Sequence, residues 1–158
     1  GKSTASEAIR IANNLISHDA RSGMFVTMFY ALLDLKQKRL NYVNAGHNPP
    51  LLLKGNTGGV ILLGAKGIAL GVLDDINLEE VELDLVSHDT VVLYTDGVTE
   101  AINEKKEQFG LERLIKLATQ NSHLPAQGLL DRIKGEVDVF TQGQSQFDDL
   151  TLVILKAV

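Results

Sequence analysis

Between Met24 and Leu63, the apolar runs of this sequence are separated only by turn-length polar breaks. Such spacing restricts the fold more than any other feature. Two parallel strands need a crossover of a dozen or more residues, whereas antiparallel strands close through a short turn. Met24 to Asp34, too β-branched and aromatic at its start for a good helix, reads as a long strand. Lys36, Gln37 and Lys38 form a turn, and Arg39 to Ala45 return as a second strand. Gly46-His47-Asn48-Pro49-Pro50 breaks that strand. Leu51 to Lys54 and Val60 to Leu63 then pair around Gly55-Asn56-Thr57-Gly58-Gly59. From Glu80 to Leu85 the chain alternates strictly, with Val81, Leu83 and Leu85 on one face and Glu80, Glu82 and Asp84 on the other, as in a half-buried antiparallel strand.

Helical signals flank these strands. Thr4 and Glu7 have capping-box spacing, and Ala8, Ile9, Ala12, Leu15 and Ile16 follow at helical period, giving a helix from about Thr4 to Ser17. His18 to Gly23 is a polar break. Gly110 to Thr119 forms a short helix. Pro125 opens a longer one, where its missing N–H costs nothing, with Ala126, Leu129, Leu130, Ile133, Val137 and Phe140 on one face. Val91 to Tyr94 and Leu150 to Leu155 are apolar enough for buried strands, and Thr141 to Gln146 is a polar loop. The expected class is therefore α+β, in one domain spanning residues 1–158.

Composition excludes several functions. A net charge of −5 argues against a nucleic-acid binder, which needs a basic face. With no cysteine there is no thiolate nucleophile and no thiolate metal site, and the chain is compatible with the cytoplasm. No apolar run approaches the roughly 18 residues of a membrane span. Gly1-Lys2-Ser3 lacks the glycine-rich loop of a phosphate-binding motif and is taken as coincidence.

Two acidic segments lie at strand ends: Tyr94-Thr95-Asp96-Gly97-Val98-Thr99-Glu100 and Phe147-Asp148-Asp149-Leu150-Thr151. Carboxylates so placed suit hard divalent cations, which prefer oxygen ligands. Gly97 would allow close approach to Asp96. The plainer reading is an Asp-Gly turn and a solvated strand start. His47 either faces a site, where its ionisation suits proton transfer, or simply orients its turn.

Taken in order, Gly23-Met24-Phe25-Val26-Thr27, Tyr42 to Pro50, Leu93 to Ala101, Phe109-Gly110 and Phe147 to Leu152 closely resemble the metal-dependent protein phosphatase (PPM) family. The branch resembled is the bacterial one typified by stage II sporulation protein E and the RsbU-type serine phosphatases that regulate sigma factors. That resemblance implies two packed antiparallel sheets flanked by helices. It implies two Mn²⁺ or Mg²⁺ ions, with Asp96 and Asp148 at ligand positions and a metal-activated water in place of a protein nucleophile. Asp149 would orient a ligand or a water, with Gly97, His47 and Asn48 as auxiliary positions.

The implied substrate is phosphoserine or phosphothreonine on a cytoplasmic regulatory protein, such as a STAS-domain anti-sigma-factor antagonist, under an upstream sensor or receiver domain. A catalytically silent module that docks a phosphoprotein is the alternative. The family's earlier Gly-Asp pair and Asp-Val-Ser-Gly stretch do not occur in this sequence. The expectation is thus an N-terminally truncated domain, lacking its first strands and first helix, inactive alone and prone to form a homodimer through open edges.

Overall fold

The structure is a computed structural model that describes residues 4–19, 23–142, 144 and 148–158. Gly1-Lys2-Ser3, residues 20–22 of the His18 to Gly23 break, residues 143, 145 and 146 of the polar loop, and Phe147 lie outside the described residues. Seven strands and four helices follow one another among the described residues. By contacts they form two compact units, Gly1–Pro49 with Gly64–Leu85 and Pro50–Leu63 with Val86–Val158.

In the first unit, strands β1 (Met28–Asp34), β2 (Arg39–Ala45) and β5 (Glu80–Asp84) form an antiparallel sheet in the order β1-β2-β5. The β1–β2 hairpin is tight because Asp34 accepts the N–H groups of Lys36 and Gln37, which fixes the turn. Helix α1 (Ala5–Asp19) starts with the capping box expected from sequence. Thr4 N–H donates to Glu7 Oε2 and Glu7 N–H to Thr4 Oγ1, at 3.1 and 3.2 Å. A carboxylate from the sheet adds a third acceptor: Glu80 Oε2 takes the Ser6 N–H at 3.0 Å, while Asn41 donates to Glu80 Oε1 at 2.7 Å. The buried stripe of α1 differs from the sequence reading. It runs through Ala5, Ile9 and Asn13, whereas Leu15 is exposed. Asn13 replaces an apolar residue because its amide grips the loop after Leu70, donating to Leu73 O at 2.9 Å and accepting Gly71 N–H at 3.0 Å.

The long first strand expected from Met24 begins only at Met28. Val26 does pair, but as an isolated bridge with Leu70, and Met24 and Phe25 are exposed.

In the second unit, β3 (Leu51–Leu53), β4 (Val60–Leu62), β6 (Thr90–Tyr94) and β7 (Leu152–Lys156) form an antiparallel sheet in the order β4-β3-β6-β7. Helices α3 (Leu111–Gln120) and α4 (Ala126–Thr141) bury Leu114, Ala118, Leu129, Ile133 and Val137 against Leu51, Leu53, Val92 and Tyr94. Truncating a fully buried leucine in such a cluster typically costs about 2–5 kcal/mol, so this core is what holds the strand ends in place. The β3–β4 hairpin is tied to the turn before β6 by Asp89. Its fully buried carboxylate pairs with Lys54 and accepts the N–H groups of Gly55 and Val86 at 2.9 and 3.1 Å. Burial pushes the Asp89 carboxyl up, but the Lys54 ammonium and the two N–H groups outweigh it and hold the acid below its ordinary range. With one helix on the first sheet and the rest with the second, the class is α+β, as the sequence implies.

Candidate metal centre

Asp96 and Asp148 are 52 positions apart in sequence yet sit on touching segments, because β6 and β7 are neighbours. Tyr94 pairs with Leu152 at the last rung of that ladder. Beyond it the ladder continues through Thr95, whose N–H donates to Thr151 O at 3.1 Å. The Thr95 hydroxyl donates to Asp149 O at 2.8 Å and accepts the Thr151 N–H at 2.9 Å. Asp96 then opens a single helical turn, α2 (Asp96–Thr99), which sequence periodicity cannot register at four residues.

Gly97 makes the close approach possible. A Cβ built there would lie 2.6 Å from Asp149 O and 3.2 Å from Asp148 O, so any side chain would force the two segments apart. Gly97 is buried, but its φ is not left-handed; what it supplies is space, not backbone freedom.

The two carboxylates share a pattern. Asp96 Oδ1 accepts the Gly97 N–H at 3.0 Å, and Asp148 Oδ1 accepts the Asp149 N–H at 2.7 Å. Both side chains are exposed, and neither forms an ion pair among the described residues. One oxygen of each is thus held by the main chain, and the other takes no hydrogen bond among the described residues. Hard anionic oxygens on a pinned backbone suit Mg²⁺ or Mn²⁺. Among the described residues, however, no group of three His, Asp or Glu side chains comes together, so the chemistry fits a divalent cation while the ligand count is partial.

His47 and Asn48 belong to the other unit. There the buried Asn44 side chain clamps the turn, accepting the His47 N–H at 2.8 Å and donating to His47 O at 3.0 Å. The His47 ring pairs through Nδ1 with the Thr27 hydroxyl at 3.2 Å. Turn orientation accounts for both contacts. Sequence reading missed Thr95, Thr151 and Asn44. The hydroxyl-bearing residues beside each Asp were a visible signal; which partners they would meet was not.

The family model of stage II sporulation protein E (SpoIIE) matches residues 2–158. Protein IcfG of Synechocystis sp. is 34% identical over 148 residues, covering 92% of this chain and 23% of that protein. The phosphoserine phosphatase RsbU of Bacillus subtilis is 30% identical over 153 residues, covering 96% of this chain and 44% of RsbU. Among solved structures, the SiaA PP2C domain of Pseudomonas aeruginosa superposes with a TM-score of 0.80 at 19% identity, over 98% of this chain and 61% of that one. The Mn-presoaked phosphatase domain of SpoIIE from Bacillus subtilis gives 0.68 at 19% identity, over 95% of this chain and 65% of that one. This chain thus spans less than half the length of the two curated relatives. A family match over nearly the whole sequence, with the same fold in both structures, means that the chain belongs to the stage II sporulation protein E family.

Proposed function

We propose that residues 1–158 form the larger part of one phosphatase domain that hydrolyses phosphoserine or phosphothreonine on a regulatory protein, with Asp96 and Asp148 as divalent-metal ligands. The observation that carries this reading is the docking of the Asp96 segment on the Asp148 segment through Thr95 and Gly97. RsbU is named a phosphoserine phosphatase, and the SpoIIE phosphatase domain was studied soaked in Mn, which supports both the reaction and the cofactor class.

In this reading the open oxygens of Asp96 and Asp148 hold Mn²⁺ or Mg²⁺, and the adjacent main-chain N–H groups fix the orientation of both carboxylates. Bound divalent cations would supply an acidified water and neutralise charge on the phosphoryl oxygens. With no cysteine in the chain, no thiolate competes as nucleophile. Asp149 contributes its main chain to this arrangement. His47 and Asn48 lie on a turn of the first unit, which Asn44 holds. The substrate fits a phosphorylated STAS-domain antagonist of an anti-sigma factor in the cytoplasm, under an upstream sensor or receiver domain.

A second reading is a silent module that binds a phosphoprotein without turnover. It is favoured by the absence of a three-acid cluster among the described residues. Phosphate release from a phosphoserine protein by the complete domain, with its upstream segment, separates the two. Turnover with Mn²⁺ that stops with EDTA and falls at least tenfold in Asp96→Asn supports the enzyme, because Asn keeps the shape and removes the charge a hard cation needs. Turnover that survives both treatments sinks the two-metal mechanism.

A further inference from the structure

We infer that Thr95 is the positioning residue that sets the spacing of the two carboxylates, acting through the main chain of Asp149. The inference rests on the metal-site reading above and extends it to a residue that touches no cation.

A single hydroxyl oxygen does two jobs here. Its proton goes to Asp149 O at 2.8 Å, and its lone pair takes the Thr151 N–H at 2.9 Å. Only a side chain that is donor and acceptor at the same atom, and short enough to stay beside its own backbone, satisfies both. Asn and Gln have separate atoms for the two roles, and Asp lacks the proton.

The Asp149 residue is then held from both sides. Its carbonyl is fixed by Thr95, the residue before Asp96, while its N–H fixes the Asp148 carboxylate at 2.7 Å. A continuous path therefore joins the two acids: Asp96 to Thr95 along the chain, the Thr95 hydroxyl to the Asp149 carbonyl, and the Asp149 N–H to Asp148. The β6–β7 ladder alone would not enforce it, because its last main-chain bond, from the Thr95 N–H to Thr151 O at 3.1 Å, stops short of Asp149. Between that bond and Asp149 no further main-chain hydrogen bond joins the two segments among the described residues. The hydroxyl closes the gap, and Gly97 makes the closure sterically possible.

A hydrogen bond one step removed from a metal typically changes affinity about 10–100-fold when lost. The test is titration of the chain with Mn²⁺ alone, read by the electron paramagnetic resonance of the free ion, on wild type, Thr95→Val, Thr95→Ser and Asp96→Asn. Val keeps the shape and removes the hydroxyl; Ser keeps the hydroxyl. Thr95→Val should lose about tenfold in affinity, Thr95→Ser should stay within about twofold of wild type, and Asp96→Asn should bind least. Amide exchange at Thr151 should be faster in Thr95→Val than in Thr95→Ser, a readout that needs no metal.

Equal affinity in Thr95→Val and wild type, equal losses in Val and Ser, or Thr151 exchange indifferent to the hydroxyl each overturn the inference while leaving the Asp96 site in place. Wild type that takes up no Mn²⁺, or Asp96→Asn that binds as wild type does, overturns the metal-site reading itself, and the positioning inference falls with it.

Discussion

At the scale of single residues, Gly97 sets two physical effects against each other. It lies inside α2, where alanine is the better helix former by about 1 kcal/mol. Against that stands a Cβ placed 2.6 Å from Asp149 O, an atom that cannot yield cheaply because the Thr95 hydroxyl pins it. Forcing extra volume into a tight site costs about 1–3 kcal/mol. Packing should therefore win. Gly97→Ala is expected to lower stability in urea unfolding and to weaken Mn²⁺ binding together, since the same displacement moves Asp148. A variant as stable as wild type or more so would mean that helix propensity dominates and that the segments can separate without strain.

At the scale of elements, the sheets were largely legible in the sequence and the couplings between distant segments were not. Strand β2 runs over Arg39–Ala45 and the β3–β4 hairpin closes at Gly55 to Gly59, as turn chemistry implies. Asp96 and Asp148 could be singled out because each sits at the end of an apolar strand. Local pattern could not supply the Thr95 link, which joins residues more than fifty positions apart, or the replacement of an apolar residue by Asn13 on the buried face of α1. Nor could it show that Met24 and Phe25, apolar enough for a strand, would remain exposed.

The same kind of coupling governs how α1 responds to pH. The Ser6 N–H, first among its causes, lowers the Glu80 carboxyl below its ordinary value of 4.5, with Asn41 adding to the effect and burial opposing it. A carboxyl lowered on folding contributes stability that is fully present above the unfolded value and is lost as pH falls through the folded one. Between neutral pH and about 5 this contribution should stay constant, and below about 4.5 it should decline. Glu80→Gln should remove that part of the pH dependence and lower stability at pH 7, measured by urea unfolding across pH 3–7. Identical pH profiles for wild type and variant would show that the carboxylate does not cap α1 in solution.

For the molecule as a whole, the question is how many cations a chain with this arrangement can hold. Hard divalent ions take six or more oxygens, and the described residues offer the Asp96 and Asp148 carboxylates on neighbouring segments with no group of three acidic or histidine side chains. Most of the coordination shell is then water, so affinity should be weak, on the order of 10⁻⁴ M or poorer, as in sites with few charged ligands. Stoichiometry follows from Coulomb's law. Two dications about 4 Å apart repel by about 4 kcal/mol even at the dielectric constant of water, and a two-metal site offsets this with a group that bridges both ions. Asp96 and Asp148 approach from separate segments, and each has one oxygen held by its own main chain. One carboxylate per ion offers no bridge. Calorimetric titration of residues 1–158 with Mn²⁺ should therefore show no more than one weakly bound ion, with little phosphate release from a phosphopeptide under the same conditions. Two tightly bound ions with robust turnover would overturn this, because a further acidic group of the chain would then have to stand between the two metals.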